Sequence, residues 1–271
     1  MHALRAEPAG LTVPTRLSLS DLADLLGEQQ PCFDVTYVDS CLSTNDELAQ
    51  RTPGAGIDVL ITDSQLAGRG RRGRSWQSEP GHSLTFSCGW NPPAHCPPPG
   101  GLSLAIGLAV AEALASIGAQ GVAVKWPNDV LAGGSKLAGI LIELASGQQR
   151  ARRVIIGIGL NLRAPGGSLP PGATALQPHL CAPTPDEAVL AAILLNLNAR
   201  LQDFTRAGFA ALLPAWQAHD ALAGRQVRIV GDHEERHGIH AGVAEDGALL
   251  LRDDSGIHRI LSGDVSLRSA T

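Results

Sequence analysis

Seven residues, Gly68-Arg69-Gly70-Arg71-Arg72-Gly73-Arg74, set four guanidiniums among three glycines. Glycine lets a backbone approach a ligand closely, and guanidinium forks pair with phosphate oxygens. Four like charges in so short a stretch repel one another. The loop is therefore expected to be mobile until an anion such as a polyphosphate folds it down. Taken alone, it also fits a solvated turn or an arginine-rich RNA contact. Its spacing matches G-x-G-x-x-G, but a dinucleotide fingerprint needs a strand before it and a helix after it. Here Glu79-Pro80-Gly81 follows and leads into another strand. Protein kinases also use a strand–loop–strand glycine loop, but their other motifs are missing.

A second group is Lys125-Trp126-Pro127-Asn128-Asp129, with Lys136-Leu137-Ala138-Gly139-Ile140 close behind. Lysine occurs only at 125 and 136 among 21 basic residues. A chain that otherwise uses arginine keeps two compact ammonium groups here. A hairpin would bring both lysines near Asp129, ready for a carboxylate, a phosphate or Mg²⁺ carried by substrate oxygens. The plain alternative is a Pro-Asn-Asp turn with surface lysines. Gly157-Ile158-Gly159-Leu160-Asn161 is either a packed strand or one that another group approaches closely. Ser43-Thr44-Asn45 is either a helix cap or a polar contact at a helix start. No serine-hydrolase elbow, zinc spacing or Walker loop occurs. His233, His237 and His240 are expected in a solvated loop.

The elements that must position these groups follow from periodicity and punctuation. A short helix is predicted over Ser18–Gln30 with Ser20 as its cap. Thr44 and Glu47 have capping-box spacing. Strands are predicted at Val35–Val38, Ile57–Thr62, Val122–Trp126, Leu137–Leu144 and Val154–Leu162. Another covers Leu84–Trp90, where Leu84, Phe86, Cys88 and Trp90 alternate with Ser83, Thr85 and Ser87. Residues 102–118 read as a buried helix. A further helix starts at Thr184-Pro185-Asp186-Glu187, with Thr184 as cap, and runs to about Arg206. After Gly224, short apolar runs separated by acidic glycine turns predict a small all-β module.

The chain has 271 residues, a formal charge of −5 and 44% hydrophobic residues. This excludes a mainly disordered chain, and the acidic balance argues against a duplex-wrapping or polybasic membrane protein. Cysteines at 32, 41, 88, 96 and 181 are odd in number and lack metal-ligand spacing. The thiols read as reduced, the compartment as cytoplasmic. No signal peptide or membrane span is expected. Residues 1–34 are expected to form an arm with a short helix, 35–221 a main domain of strands and helices, and 222–271 a small β domain.

Taken together, Ser43-Thr44-Asn45, Gln65, the loop from Gly68 to Arg74, Trp76, the Lys125–Asp129 run, Lys136–Ile140 and Gly157-x-Gly-x-Asn161 resemble biotin–protein ligases. Order and approximate spacing both match. Ser262–Arg268 is similar to the end of that family's C-terminal domain. The resemblance implies an α+β fold: a mixed β-sheet packed with helices (class II synthetase-like) plus a small SH3-like β-barrel. It implies activation of biotin by ATP to biotinyl-5′-adenylate, and then transfer to a lysine of a biotin carboxyl carrier protein. A lipoate–protein ligase shares the fold. A nucleic-acid-binding regulator and a non-catalytic sensor are the readings from other classes.

The resemblance also implies roles. Ser43, Thr44, Asn45, Gln65, Arg69, Gly70, Arg71, Lys136 and Gly139 would hold biotin. Arg69, Arg71, Arg74, Trp76, Lys125, Asn128, Lys136 and Asn161 would hold ATP or the adenylate. Lys136, Arg71, Asp129 and Lys125 would carry the chemistry, with Asp129 orienting Mg²⁺ or the incoming amine. Leu137–Ile142 and Ile155–Leu160 would line the apolar slot. Some family members have an N-terminal helix-turn-helix. Only about 34 residues precede the first matching strand here, so DNA binding is not expected. Sheet edges could pair in a homodimer.

Overall fold

The computed structural model describes residues 17–145, 153–164, 169–231 and 235–267. The first sixteen residues of the arm expected at 1–34 lie outside them, as do His233 and Arg268. The first helix, α1 (Leu19–Leu26), is capped by Ser18, whose hydroxyl accepts from Asp21 N, and not by Ser20. Leu22 and Leu26 form its buried stripe.

Seven strands make one sheet: β1 (Phe33–Cys41), β2 (Ile57–Gln65), β3 (Ser83–Trp90), β4 (Val122–Lys125), β5 (Asp129–Ala132), β6 (Ser135–Leu144) and β7 (Val154–Asn161). Their order is β1-β2-β3-β7-β6-β5-β4. β1 and β2 run parallel, and a parallel pair needs a crossover. The short helix α2 (Thr44–Gln50) supplies it. All other neighbours are antiparallel, so the sheet is mixed. β5 falls where the sequence suggests only turns on either side of a short linker. Its register with β4 and β6 turns Lys125–Lys136 into two successive hairpins.

β3 explains the two faces of the sheet. Leu84, Phe86, Cys88 and Trp90 join the main core, under α3 (Leu102–Ser116) and α4 (Asp186–Ala207). α3 is apolar all round and therefore buried. Its one acid, Glu112, pairs with Arg200 of α4 at 3.2 Å. On the other face of β3, Thr85 and Ser87 are also buried. Beside them Arg153 and Asp58 form a buried ion pair at 2.8 Å, fitting against Gly89, where any side chain would collide with the guanidinium.

The cap of α4 differs from expectation. Pro185 holds that position without a side-chain bond, and the Thr184 hydroxyl donates to Ala182 O instead. Beyond α4, a 3₁₀ turn (Gly208–Leu212) and α5 (Leu213–Ala218) were not evident in the sequence. They bring Phe209 and Trp216 edge to face, 6.4 Å apart, to close the core.

The C-terminal module is a five-stranded antiparallel sheet, consistent with a small SH3-like unit. Its strands are β8 (Gln226–Val230), β9 (Glu235–Val243), β10 (Leu249–Asp253), β11 (Gly256–Ile260) and β12 (Asp264–Leu267). Their order is β11-β10-β9-β8-β12. His240 does not lie in a solvated loop. β9 turns it inward, and its Nε2 lies 2.7 Å from Asp220, both side chains being 1% exposed. The module also meets the first sheet directly. Trp126 Nε1 donates to Gly247 O at 2.9 Å. Gly247 has φ +84 and sits so close to Gly101 that a Cβ would collide with its backbone.

Candidate active site

The site grows from the start of α2. Ser43 is the cap and accepts from Asp46 N, so the Thr44–Glu47 capping box does not form. Thr44 is freed for the pocket. Its backbone N–H and hydroxyl both donate to Gln65 Oε1, at 2.8 and 3.0 Å. The Ser87 hydroxyl lies 2.6 Å from Thr44 Oγ1 and from Asn45 Oδ1. Asn45 Nδ2 donates to Glu143 Oε2 at 2.6 Å. Five side chains thus form one polar wall from β2 across α2 and β3 to β6.

Opposite this wall stands the lysine–aspartate group. Lys136 Nζ is 2.6 Å from Asp129 Oδ1, and Lys125 Nζ is 3.9 Å from Asp129 Oδ2. The β4–β5 register places Lys125 directly across from Asp129. Asn128 braces the turn, donating to Ile140 O at 2.8 Å while its backbone carbonyl accepts from Ile140 N. Its Oδ1 accepts from Arg71 at 3.3 Å.

The glycine-arginine loop closes between Arg69 and Ser75, which form an isolated bridge. Carboxylates the sequence did not single out offset the self-repulsion of its cations. Arg69 pairs with Asp46 at 2.6 Å and Glu143 at 3.1 Å. Burial pulls the Arg69 pKa down, but these two acids outweigh it and leave it raised. Arg72 lies 3.7 Å from Asp264 and donates to Val230 O at 3.0 Å. Arg74 pairs with the same Asp264. Arg71 is the most deeply set, and burial lowers its pKa despite Asp264 and Asp129.

These groups surround a cavity of about 250 Å³. Among its lining residues are Ser43, Thr44, Asn45, Gln65, Arg69, Gly70, Arg71, Arg74, Trp76, Lys125, Asn128, Asp129, Lys136 and Gly139. Only the middle of each segment of the expected apolar slot takes part. Gly139, Ile140 and Leu141 of β6 and Gly157, Ile158 and Gly159 of β7 line the cavity, while Leu137, Ala138, Ile156 and Leu160 are core residues that do not reach it. A second cavity of about 850 Å³ shares Trp76, Lys125, Asp129 and Lys136 with the first and reaches Asn161. The Trp76 indole lies flat against Gly159, where a Cβ would overlap the ring, and near Gly139. Its Nε1–H is buried with no hydrogen-bond partner among the described residues. Asn161 Nδ2 donates to Thr174 O at 3.0 Å, which commits one end of its amide.

Apart from the slot residues, every residue named for biotin, ATP or the chemistry lines one of these two cavities. Sequence reasoning missed Ser87, Asp46, Glu143 and Asp264. Ser87 left a faint signal, a small hydroxyl where a solvated strand face would carry charge. The acids left none, because their arginine partners lie far away in sequence. Among the described residues, no group of three or more His, Cys, Asp or Glu could hold a metal ion by itself.

The mixed sheet thus carries a polar-headed pocket, a pair of lysines on one aspartate and a second, adjoining chamber. Residues 39–161 match the biotin/lipoate A/B protein ligase family, and 223–268 match the biotin protein ligase C-terminal domain. The bifunctional ligase/repressor BirA of Escherichia coli K12 is 36% identical over 96% of this chain and 82% of that protein. The biotin–[acetyl-CoA-carboxylase] ligase of Mycobacterium tuberculosis is 37% identical over 82% of this chain and 85% of its own length. The structure of Aquifex aeolicus biotin protein ligase in complex with biotin and ATP superposes with a TM-score of 0.76. It is 30% identical and covers 88% of this chain and 99% of that one. The chain belongs to the biotin–protein ligase family.

Proposed function

We propose that this protein joins biotin to ATP, forming biotinyl-5′-adenylate and pyrophosphate, and then passes biotin to a lysine of a biotin carboxyl carrier protein. The observation that carries this reading is the pair of contiguous cavities joined at Trp76, Lys125, Asp129 and Lys136. One chamber takes the acid, the other the nucleotide, and the lysines stand where carboxylate meets α-phosphate.

In the first step a biotin carboxylate oxygen attacks the α-phosphorus and pyrophosphate leaves. The chemistry is charge management: two anions must meet, and preorganised cations stabilise the charge that develops. Lys136 and Arg71 serve the junction, and Lys125 and Arg74 the phosphates. Gln65, with Oε1 used by Thr44, keeps its amide N–H groups for the biotin head, beside Ser43, Thr44, Asn45, Gly70 and Gly139. Trp76 walls the adenine side, and Asn161 offers its amide oxygen. Asp129, one carboxylate flanked by two lysines, would offer a nucleotide-borne Mg²⁺ a single contact rather than a protein cage, and the ion would add positive charge at the phosphates. In the second step the carrier's amine attacks the acyl carbon, AMP leaves, and Asp129 orients the amine.

The division at 34/35 and 221/222 belongs to the same reading, as does a cytoplasmic setting with reduced thiols. No helix among the described residues is long and apolar enough to cross a membrane. DNA plays no part in this reading, given the charge of −5. A homodimer would use β1, the strand at one end of the main sheet order, because segment 219–221 already bonds β4 at the other. Biotin-dependent exchange of labelled pyrophosphate into ATP tests the assignment, with lipoate and no-acid controls. Exchange with lipoate but not biotin would overturn it.

A further inference from the structure

Glu143 lies near the end of β6, outside the groups that line the first cavity. Its carboxylate nevertheless meets two of them. One side accepts from Asn45 Nδ2 at 2.6 Å, and the same carboxylate accepts from Arg69 at 3.1 and 3.2 Å. The two partners differ sharply. Asn45 is buried, and its other amide atom, Oδ1, is engaged by Ser87. Arg69 is 44% exposed and has Asp46 as a second partner.

An amide has two orientations of nearly equal shape, and only its hydrogen-bond partners choose between them. A carboxylate accepts and cannot donate, so Glu143 holds the Asn45 amide with nitrogen outward and oxygen inward. The Ser87 hydroxyl, 2.6 Å from Asn45 Oδ1, is placed to donate to the inward oxygen. A Cβ at Gly157 would run into the Asn45 amide, so the strand yields its side chain to make room for it.

Resting on the reading of this pocket as the biotin site, we infer that Glu143 is a positioning residue. It fixes the Asn45 amide in the polar wall and, through Arg69, ties that wall to the glycine-arginine loop. It touches no reacting atom in this scheme. The two functions separate chemically. The Asn45 contact needs only an acceptor, whereas the Arg69 contact needs a charge.

Glu143→Gln and Glu143→Leu should therefore behave differently. Gln still accepts from Asn45, so biotin affinity measured by calorimetry stays within about threefold, whereas Leu orphans the Asn45 amide and weakens biotin about tenfold. Trypsin cleavage within residues 69–74 should be faster in both variants, since both lose the charge that Arg69 pairs with. Asn45→Ala combined with Glu143→Leu should cost no more than Asn45→Ala alone. Thermal melts close to wild type would show that the fold survives in both. Wild-type affinity in a folded Glu143→Leu would overturn the inference, as would equal affinity loss in Gln and Leu. Failure of the wild-type protein to bind biotin would instead sink the reading of the pocket, and this inference with it.

Discussion

Asp264, on the last strand of the C-terminal module, pairs with Arg74 of the glycine-arginine loop and lies 3.7 Å from Arg72. A carboxylate from the second unit thus lines the first cavity and stands beside cations of the glycine-arginine loop. Asp264→Asn removes that anchor. A partly exposed pair is worth about 1 kcal/mol at most, so tryptic cleavage within the loop should rise by up to about fivefold in the ligand-free protein. Biotin with ATP should slow cleavage in both proteins. Unchanged cleavage in the variant would mean that Asp264 does not hold the loop.

Lys136→Ala should reduce pyrophosphate exchange by at least ~10²-fold, the scale of losing one preorganised donor to developing charge. It also removes the nearer of the two lysines paired with Asp129, leaving Lys125 at 3.9 Å. Exchange at the wild-type rate would remove Lys136 from the first step.

Arg71 reaches Asn128 from the loop and is half-buried. Arg71→Gly is expected to form the adenylate but lose it to solvent. Chromatography of the reaction should then find biotinyl-adenylate free of protein. Retention equal to wild type would refute closure of the loop over the intermediate.

Gly159→Ala puts a methyl group into the space of the Trp76 ring. The ring must leave its seat between the cavities. The KM for ATP should rise more than the KM for biotin, and tryptophan emission should shift red. Equal changes in both constants would mean that Trp76 does not wall the nucleotide side.

Trp126→Phe keeps the buried ring and deletes its donor to Gly247 O. Leaving that carbonyl unsatisfied costs about 1–3 kcal/mol. Urea unfolding should show this loss, with the catalytic rate falling further because Trp126 adjoins Lys125 in the same turn. Wild-type stability would show that the bond contributes nothing to docking.

What the sequence made legible was what lies close along the chain. Lys125, Asp129 and Lys136 fall within two hairpins, so turn chemistry alone brings them together. Ser43–Asn45 announced a helix start, although the cap proved to be Ser43, leaving Thr44 for Gln65. The loop's cations were plain, but their counter-charges were not. Asp46, Glu143 and Asp264 sit on α2, β6 and β12, and only tertiary folding brings them to it. His240 misled for the same reason, since its partner Asp220 comes from the end of the other unit. β5 was hidden because its four residues lie between two turns, and α5 because six residues leave too short a period to detect.

The pocket draws on Ser43, near one end of the described chain, and on Asp264 and Val265, near the other. Contacts of such sequence separation carry a high loop-closure cost and tend to form late. During refolding, far-ultraviolet dichroism should therefore recover before ligand competence does. A population with native secondary structure and an unfinished pocket would be unable to adenylate biotin. The last strand would then act as an assembly checkpoint, letting the enzyme make its reactive intermediate only once the whole molecule is in place to hold it.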